Sequence, residues 1–177
     1  MIKKIIKYVS IKYYDSSYER RRRYLIKKGA QIGEGTRIRN ISSFSSEPYL
    51  IKVGKDVLFS GEVFMTTHDG GIKVLNSLGF FDESNDKMGR IIIGDNCFIG
   101  QKSVILPGVT IGNNVIIGAG SVVSKDIPSN TVAAGIPAKV ICSIEEYYKR
   151  NLEKGCFYPT GNMSSQEKKE YLIKSVK

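Results

Sequence analysis

The chain has a single histidine, His68, in the run Thr66-Thr67-His68-Asp69-Gly70-Gly71. An imidazole titrates near neutrality, so it suits a general base that takes a proton from an attacking hydroxyl. A lone histidine is more often structural than catalytic. This one ends a block of repeats and opens a long polar segment, which favours the catalytic reading. Asp69 is a candidate to orient the imidazole or the acceptor, and equally a turn residue with Gly70 and Gly71. One histidine is too few for a zinc enzyme built on three histidine ligands. Cys97, Cys142 and Cys156 show no metal-ligand spacing and are odd in number, so they read as thiols of a reducing compartment. No metal is expected. No glycine-rich phosphate loop leads from a strand into a helix.

The elements that must position these residues repeat every six positions. Aliphatic side chains stand at Ile93, Ile99, Ile105, Ile111, Ile117 and Val123, and an upstream block continues the spacing at Val53, Phe59 and Met65. Small or β-branched residues follow four positions later, at Cys97, Ser103, Val109, Val115 and Ser121. Ile32 and Ile38 look like a first, frayed copy. A period of six fits neither an amphipathic helix nor an alternating strand. It fits very short strands that turn a corner after each repeat, with glycine or asparagine at the corners and the aliphatic column inside. Residues 41–50 interrupt the pattern with a polar insert, and residues 69–90 interrupt it for longer. A loop of that length in a compact domain is usually functional or disordered.

The formal net charge is +10 over 177 residues. Residues 1–28 hold ten Lys or Arg against Asp15 and Glu19, a net of +8, so the rest carries 10 − 8 = +2. The basic character therefore belongs to an appendage. Residues 2–14 place Ile2, Ile5, Ile6, Val9 and Tyr13 on one helical face, and this helix reads as a cap over the open end of the repeat column. Attraction to an anionic membrane surface is a second role for it. Residues 144–154 and 165–176 read as helices. The organisation is thus a basic helical cap over 1–28, a repeat domain over 29–142 and a helical extension over 143–177. With no apolar run long enough to span a bilayer and no secretory signal, a cytoplasmic location is expected, with the inner membrane surface as the site of any contact.

The repeats, together with LPGVTIG (106–112), GAGSVVSKDIP (118–128) and AGIPAKVI (134–141), resemble the hexapeptide-repeat acyltransferases, and TTHDGG (66–71) is most similar to the branch tied to surface polysaccharides. The resemblance covers about residues 29–142. It implies an all-β fold, a left-handed parallel β-helix with three repeats per coil, and a homotrimer with acetyl-CoA between subunits. The left hand departs from the right-handed crossover rule and comes from the resemblance alone. It also implies His68 as the base, with donor contacts at Gly100, Gln101, Gly118, Ala119, Ser124, Lys125 and Lys139. Lysines serve there as point charges for phosphate, and the blander alternative is that Lys125 and Lys139 are solvated surface residues. Gly94, Gly112 and Gly120 are better read as corner residues. An upstream polar group that assists at the acceptor matches Asn40, Ser42 or Ser43.

The function so implied is acetyl-CoA-dependent O-acetylation of a sugar hydroxyl on a surface polysaccharide or its precursor, by direct transfer. N-acetylation of an amino-sugar nucleotide is the alternative within the same class. A nucleic-acid-binding protein using the basic, tyrosine-rich N-terminus is the alternative in another class, but it leaves His68 and the AGIPAK run unexplained. A β-helix that has lost activity is a third reading, and the presence of His68 argues against it.

Overall fold

The computed structural model describes residues 17–41 and 44–176. The helix expected over 2–14, with the lysines and tyrosines on it, and the acceptor candidates Ser42 and Ser43 lie outside these residues. The chain divides into two units, one ending at Ile144 and the other Glu145–Lys177.

The first described element is α1 (Tyr18–Lys27), capped by Ser17, whose side chain accepts from the Arg20 N–H. Leu25 on α1 is buried in the core, Arg22 Nη1 donates to the Ile32 carbonyl at 3.0 Å, and Arg21 donates to the Ile38 carbonyl. Two members of the arginine run thus satisfy backbone acceptors of the first coil, which among the described residues no neighbouring coil covers on that side.

Beyond α1 the chain coils through strands of two or three residues: β1 (Gln31–Ile32), β2 (Ile51–Val53), β3 (Leu58–Phe59), β4 (Phe64–Met65), β5 (Ile91–Ile93), β6 (Phe98–Ile99), β7 (Val104–Ile105), β8 (Thr110–Ile111), β9 (Ile116–Ile117) and β10 (Val122–Val123). They form three parallel sheets, β1-β2-β5-β8, β4-β7-β10 and β3-β6-β9, the last continued by β11 (Thr131–Gly135) and β12 (Ala138–Ser143). Register gives the length of each coil. Ile92 pairs with Thr110, Phe98 with Ile116 and Val104 with Val122, a common offset of 110 − 92 = 18, which is three repeats of six. The aliphatic column inside is buried from Ile32 to Ile127, as the period required. Ile32, Ile38 and Phe44 complete a coil of their own rather than a frayed copy.

Both interruptions leave at one corner. Gln31 pairs with Lys52, an offset of 52 − 31 = 21, so the first coil exceeds the regular one by 21 − 18 = 3. Lys52 pairs with Ile92, an offset of 92 − 52 = 40, so the second exceeds it by 40 − 18 = 22, the length of segment 69–90. Phe44 bridges to Met65. The extra residues therefore follow the inward residue of the third face in both coils, and the two excursions stack on each other.

The corners divide the labour between residue types. Asp56, Asn96, Asn114 and Asn130 take left-handed backbone, with φ of 55°, 53°, 55° and 61°. Asparagine tolerates that conformation, and here its amides form a ladder: Asn96 Nδ2 donates to Asn114 Oδ1 at 2.9 Å, and Asn114 Nδ2 to Asn130 Oδ1 at 2.8 Å. Gly120 has φ 69°, but Gly94 and Gly112 keep ordinary backbone and serve close approach instead. A Cβ on Gly94 would sit 2.7 Å from the carbonyl carbon of Gly112 one coil away.

The far end of the column closes with an antiparallel hairpin, β11 on β12, with the Gly135–Ala138 turn made by the AGIPAK run. Period-six reasoning does not foresee that reversal. From the last residue of the first unit onward the chain forms α3 (Ile144–Glu153), and the second unit also holds α4 (Ser165–Ser175), with a Ser164–Glu167 capping box. Both lie where the sequence places helices. Among the described residues no helix is long and apolar enough to cross a membrane.

Candidate active site

His68 leaves β4 at the corner where the two excursions stack. Thr67 beside it is buried, while the imidazole is half exposed. The outgoing and returning arms of the long loop pair as a neck: His68 bridges Met88, the Asp69 N–H donates to the Lys87 carbonyl at 2.9 Å, and the Gly89 N–H to the Thr67 carbonyl at 2.8 Å. The ring is therefore carried on hydrogen-bonded backbone rather than on a free loop. Between the arms lies a short helix, α2 (Ile72–Ser77).

The partner of the imidazole comes from the coil below. His68 Nδ1 lies 3.0 Å from Glu47 Oε2. Phe44 is in register with Met65, an offset of 65 − 44 = 21, and 47 + 21 = 68, so Glu47 stands one coil beneath the histidine. The carboxylate is held in turn: the Thr67 hydroxyl donates to Oε2 at 2.6 Å, and the Ser45 hydroxyl lies 3.2 Å from Oε2 and 2.7 Å from Thr67 Oγ1. Hydrogen bonds from Ser46, Thr67 and His68 hold the Glu47 carboxyl down to about 2, outweighing the opposing effect of partial burial. At neutral pH it is a carboxylate, an acceptor only. The hydrogen it receives must then sit on Nδ1, and in the neutral form of the ring this puts the lone pair on Nε2, the tautomer a general base needs.

Asp69, expected to orient the ring or to make a turn, is engaged away from the imidazole. Its Oδ1 accepts from the Gly71 N–H at 2.9 Å and its Oδ2 meets Lys87 Nζ at 2.6 Å. Lys87, then the Gly71 N–H, hold its carboxyl below the ordinary range. This is the turn geometry, and it clamps the neck of the loop. Asn40 is partly buried on the approach to the first excursion. Around the dyad runs a cleft of about 420 Å³ whose walls include Ser46, Tyr49, Asp69, Ile72, Lys87 and Met88.

The expected donor residues fall on two other parts of the surface. Gly100, Gln101, Gly118 and Ala119 stack on the corner between the β6/β9 face and the β7/β10 face. A Cβ on Gly100 would lie 2.5 Å from the Ala119 nitrogen, so coil stacking alone requires that glycine. Gln101, Ala119, Ser124, Lys125 and Lys139 are exposed. Ser124 and Lys125 follow β10 on the same corner column as His68, two coils further on and so about 10 Å along the axis at the usual strand spacing. Lys139 pairs with Ala134 on the terminal hairpin. One chain thus brings His68 and Glu47 together but spreads the donor residues over two corners with a sheet face between them.

Glu47 is the residue sequence reasoning missed. It lies inside the polar insert, beside the candidates taken from it, and the repeat spacing alone does not show which corner that insert occupies. The pairing of Phe44 with Met65 is what sets it under His68.

Among the described residues, no group of three or more His, Cys, Asp or Glu could hold a metal. Residues 90–125 match the bacterial transferase hexapeptide family, described by six repeats. Protein CapG of Staphylococcus aureus is 46% identical over 153 residues, which cover 85% of this chain and 86% of that protein. Among solved structures, a maltose O-acetyltransferase from Clostridium difficile 630 is 30% identical with a TM-score of 0.53, covering 75% of this chain and 81% of that one. A galactoside acetyltransferase in complex with coenzyme A is 26% identical with a TM-score of 0.53, covering 82% of each. The parallel coil has the left hand of these structures.

Proposed function

The chain belongs to the bacterial hexapeptide-repeat transferases, and on that premise we propose that it is an acetyl-CoA-dependent O-acetyltransferase acting on a sugar hydroxyl of a surface polysaccharide or its precursor. The observation that carries this reading is the Glu47–His68 pair on the wall of a cleft, with Nδ1 turned to the carboxylate. Acetyl-CoA supplies the activated thioester. His68 Nε2 takes the proton of the acceptor hydroxyl as its oxygen attacks the thioester carbonyl, and returns it to the departing thiol. Glu47 fixes the ring and stabilises the cation formed in between. The balance closes with an acetyl ester and free coenzyme A, without a covalent enzyme intermediate.

Two likenesses support a sugar as acceptor: the solved maltose and galactoside acetyltransferases, and the similarity of TTHDGG to the polysaccharide branch. The separation of Gly100 and Gln101 from Lys125 and His68 within one chain supports a trimer, in which a neighbouring copy supplies the missing side of the donor site. Lys125 and Lys139 then meet the donor's phosphates. The cytoplasmic site and membrane contact of the basic N-terminus belong to the same reading.

The test is calorimetric titration of acetyl-CoA and dephospho-CoA into the wild type and Lys139→Ala. Saturable binding that weakens without the 3′-phosphate or without Lys139 supports the donor site. No binding at high protein concentration would sink the acetyltransferase reading.

A further inference from the structure

A second cavity adjoins the cleft. It measures about 450 Å³ and lies between α1 and the turn at Pro48–Leu50. Its walls include Tyr24 and Lys28 from the α1 end, Phe44 from the first coil, and Ser46 and Tyr49 from the excursion that carries Glu47. Ser46 and Tyr49 line both cavities, so the two meet across that short segment.

The second cavity has a floor of core and a rim of aromatic and cationic groups. Leu25 and Phe44 beneath it are buried, at 2% and 3% exposure, and therefore rigid. Lys28 Nζ stands 5.8 Å from the Tyr24 ring centre. Tyr49 is 57% exposed, a large ring held out at the junction. Its backbone packs close against Gly29, which follows the Lys28 cap of α1 with φ 97° and where a Cβ would come 2.8 Å from Tyr49 Cβ. Ser45 and Ser46 direct their hydroxyls to Glu47, and the Lys28 ammonium and the exposed Tyr49 stand beside them on this wall. Flat rings beside hydrogen-bonding groups match a pyranose, whose C–H face stacks on an aromatic surface while its hydroxyls take hydrogen bonds from the rim.

We propose that this cavity is a second saccharide subsite, so that the acceptor is a chain of at least two sugar residues, one at His68 and the next beside Tyr24 and Tyr49 under Lys28. The inference rests on the O-acetyltransferase reading and narrows it. A monosaccharide fills only the His68 cleft, and the subsite gives a longer acceptor added contact area and the correct direction of approach.

The sequence contains no tryptophan, so Tyr49→Trp places a single reporter at the junction. The fluorescence of this variant is titrated with mono-, di- and trisaccharides of one series at a time, from a panel of hexose and N-acetylhexosamine series, and with a nucleotide diphosphate sugar. Acetyl transfer to the same panel is measured in the wild type, Tyr24→Leu and Lys28→Ala. The expected result is a Kd at least tenfold lower for a di- or trisaccharide than for its own monosaccharide. The matching preference in kcat/KM should shrink towards one in Tyr24→Leu and Lys28→Ala. Equal emission changes and equal kcat/KM for short and long acceptors would overturn the subsite, as would displacement by the nucleotide sugar alone or no emission change with any saccharide. Failure of the underlying reading looks different: no acetyl transfer to any acceptor, together with no acetyl-CoA binding.

Discussion

The chemistry proposed at the residue scale rests on one imidazole and the carboxylate beneath it. Replacing His68 with Asn removes the only candidate base, and kcat should fall by ~10² to 10⁴, read by release of free coenzyme A. The role proposed for Glu47 is exerted through the ring, so its test needs a readout that a merely structural role would not move. Because His68 is the only histidine, its ring nitrogens can be followed by NMR without ambiguity. The neutral ring of the wild type should carry its hydrogen on Nδ1, and Glu47→Ala should show a mixture of tautomers with activity reduced roughly tenfold or more. An unchanged tautomer would sink the positioning role. Glu47 also predicts a pH dependence of stability. Its carboxyl lies at about 2 in the folded protein against an ordinary 4.5. A lowered folded value gives stability that is fully present above 4.5 and lost as pH falls towards 2. Acid unfolding of Glu47→Gln should therefore be flatter across that window, in urea titrations at stepped pH.

At the scale of elements, each coil is held by one aliphatic column and by glycines that let neighbouring coils approach. Ile111 is fully buried, and Ile111→Ala should cost about 2–5 kcal/mol. Gly94→Ala puts a Cβ against Asn113 Oδ1 and the Gly112 carbonyl carbon. It should cost about 1–3 kcal/mol through overpacking, although the backbone is ordinary. Chemical unfolding midpoints check both. The long loop behaves differently, since its neck is closed by backbone hydrogen bonds while Val74, Leu78 and Phe80 on it are exposed. Exchanging residues 72–86 for the loop of a characterised relative should leave the unfolding midpoint nearly unchanged and alter acceptor preference. An unchanged preference would remove the loop from substrate selection.

The whole-molecule prediction concerns assembly. In the proposed reading the donor residues lie on two corners of one chain, so the donor site is complete only with a neighbour. Light scattering should therefore give a particle of three times the 19.7 kDa chain mass. Variants that dissociate to monomers should lose acetyl-CoA binding together with the trimer. A monomeric wild type that binds the donor fully would overturn the shared site.

The period of six determined the coil from sequence alone, because a short strand with one inward residue repeats its burial requirement locally, wherever the chain has reached. The columns Ile93 to Val123 and Val53 to Met65 are each readable for that reason, and so is the break that isolates His68. Membership of the repeat family was legible in LPGVTIG and AGIPAK. The partner of the histidine was not. Glu47 and His68 belong to different coils, and only the pairing of Phe44 with Met65 fixes which residue of the insert stands under the ring. Likewise, Asp69 sits beside His68 in sequence, yet its carboxylate turns to Gly71 and Lys87. Sequence periodicity records what each residue faces, inside or out. Which side chains meet across coils depends on register, and two inserts of unequal length shift that register, which only the folded chain resolves.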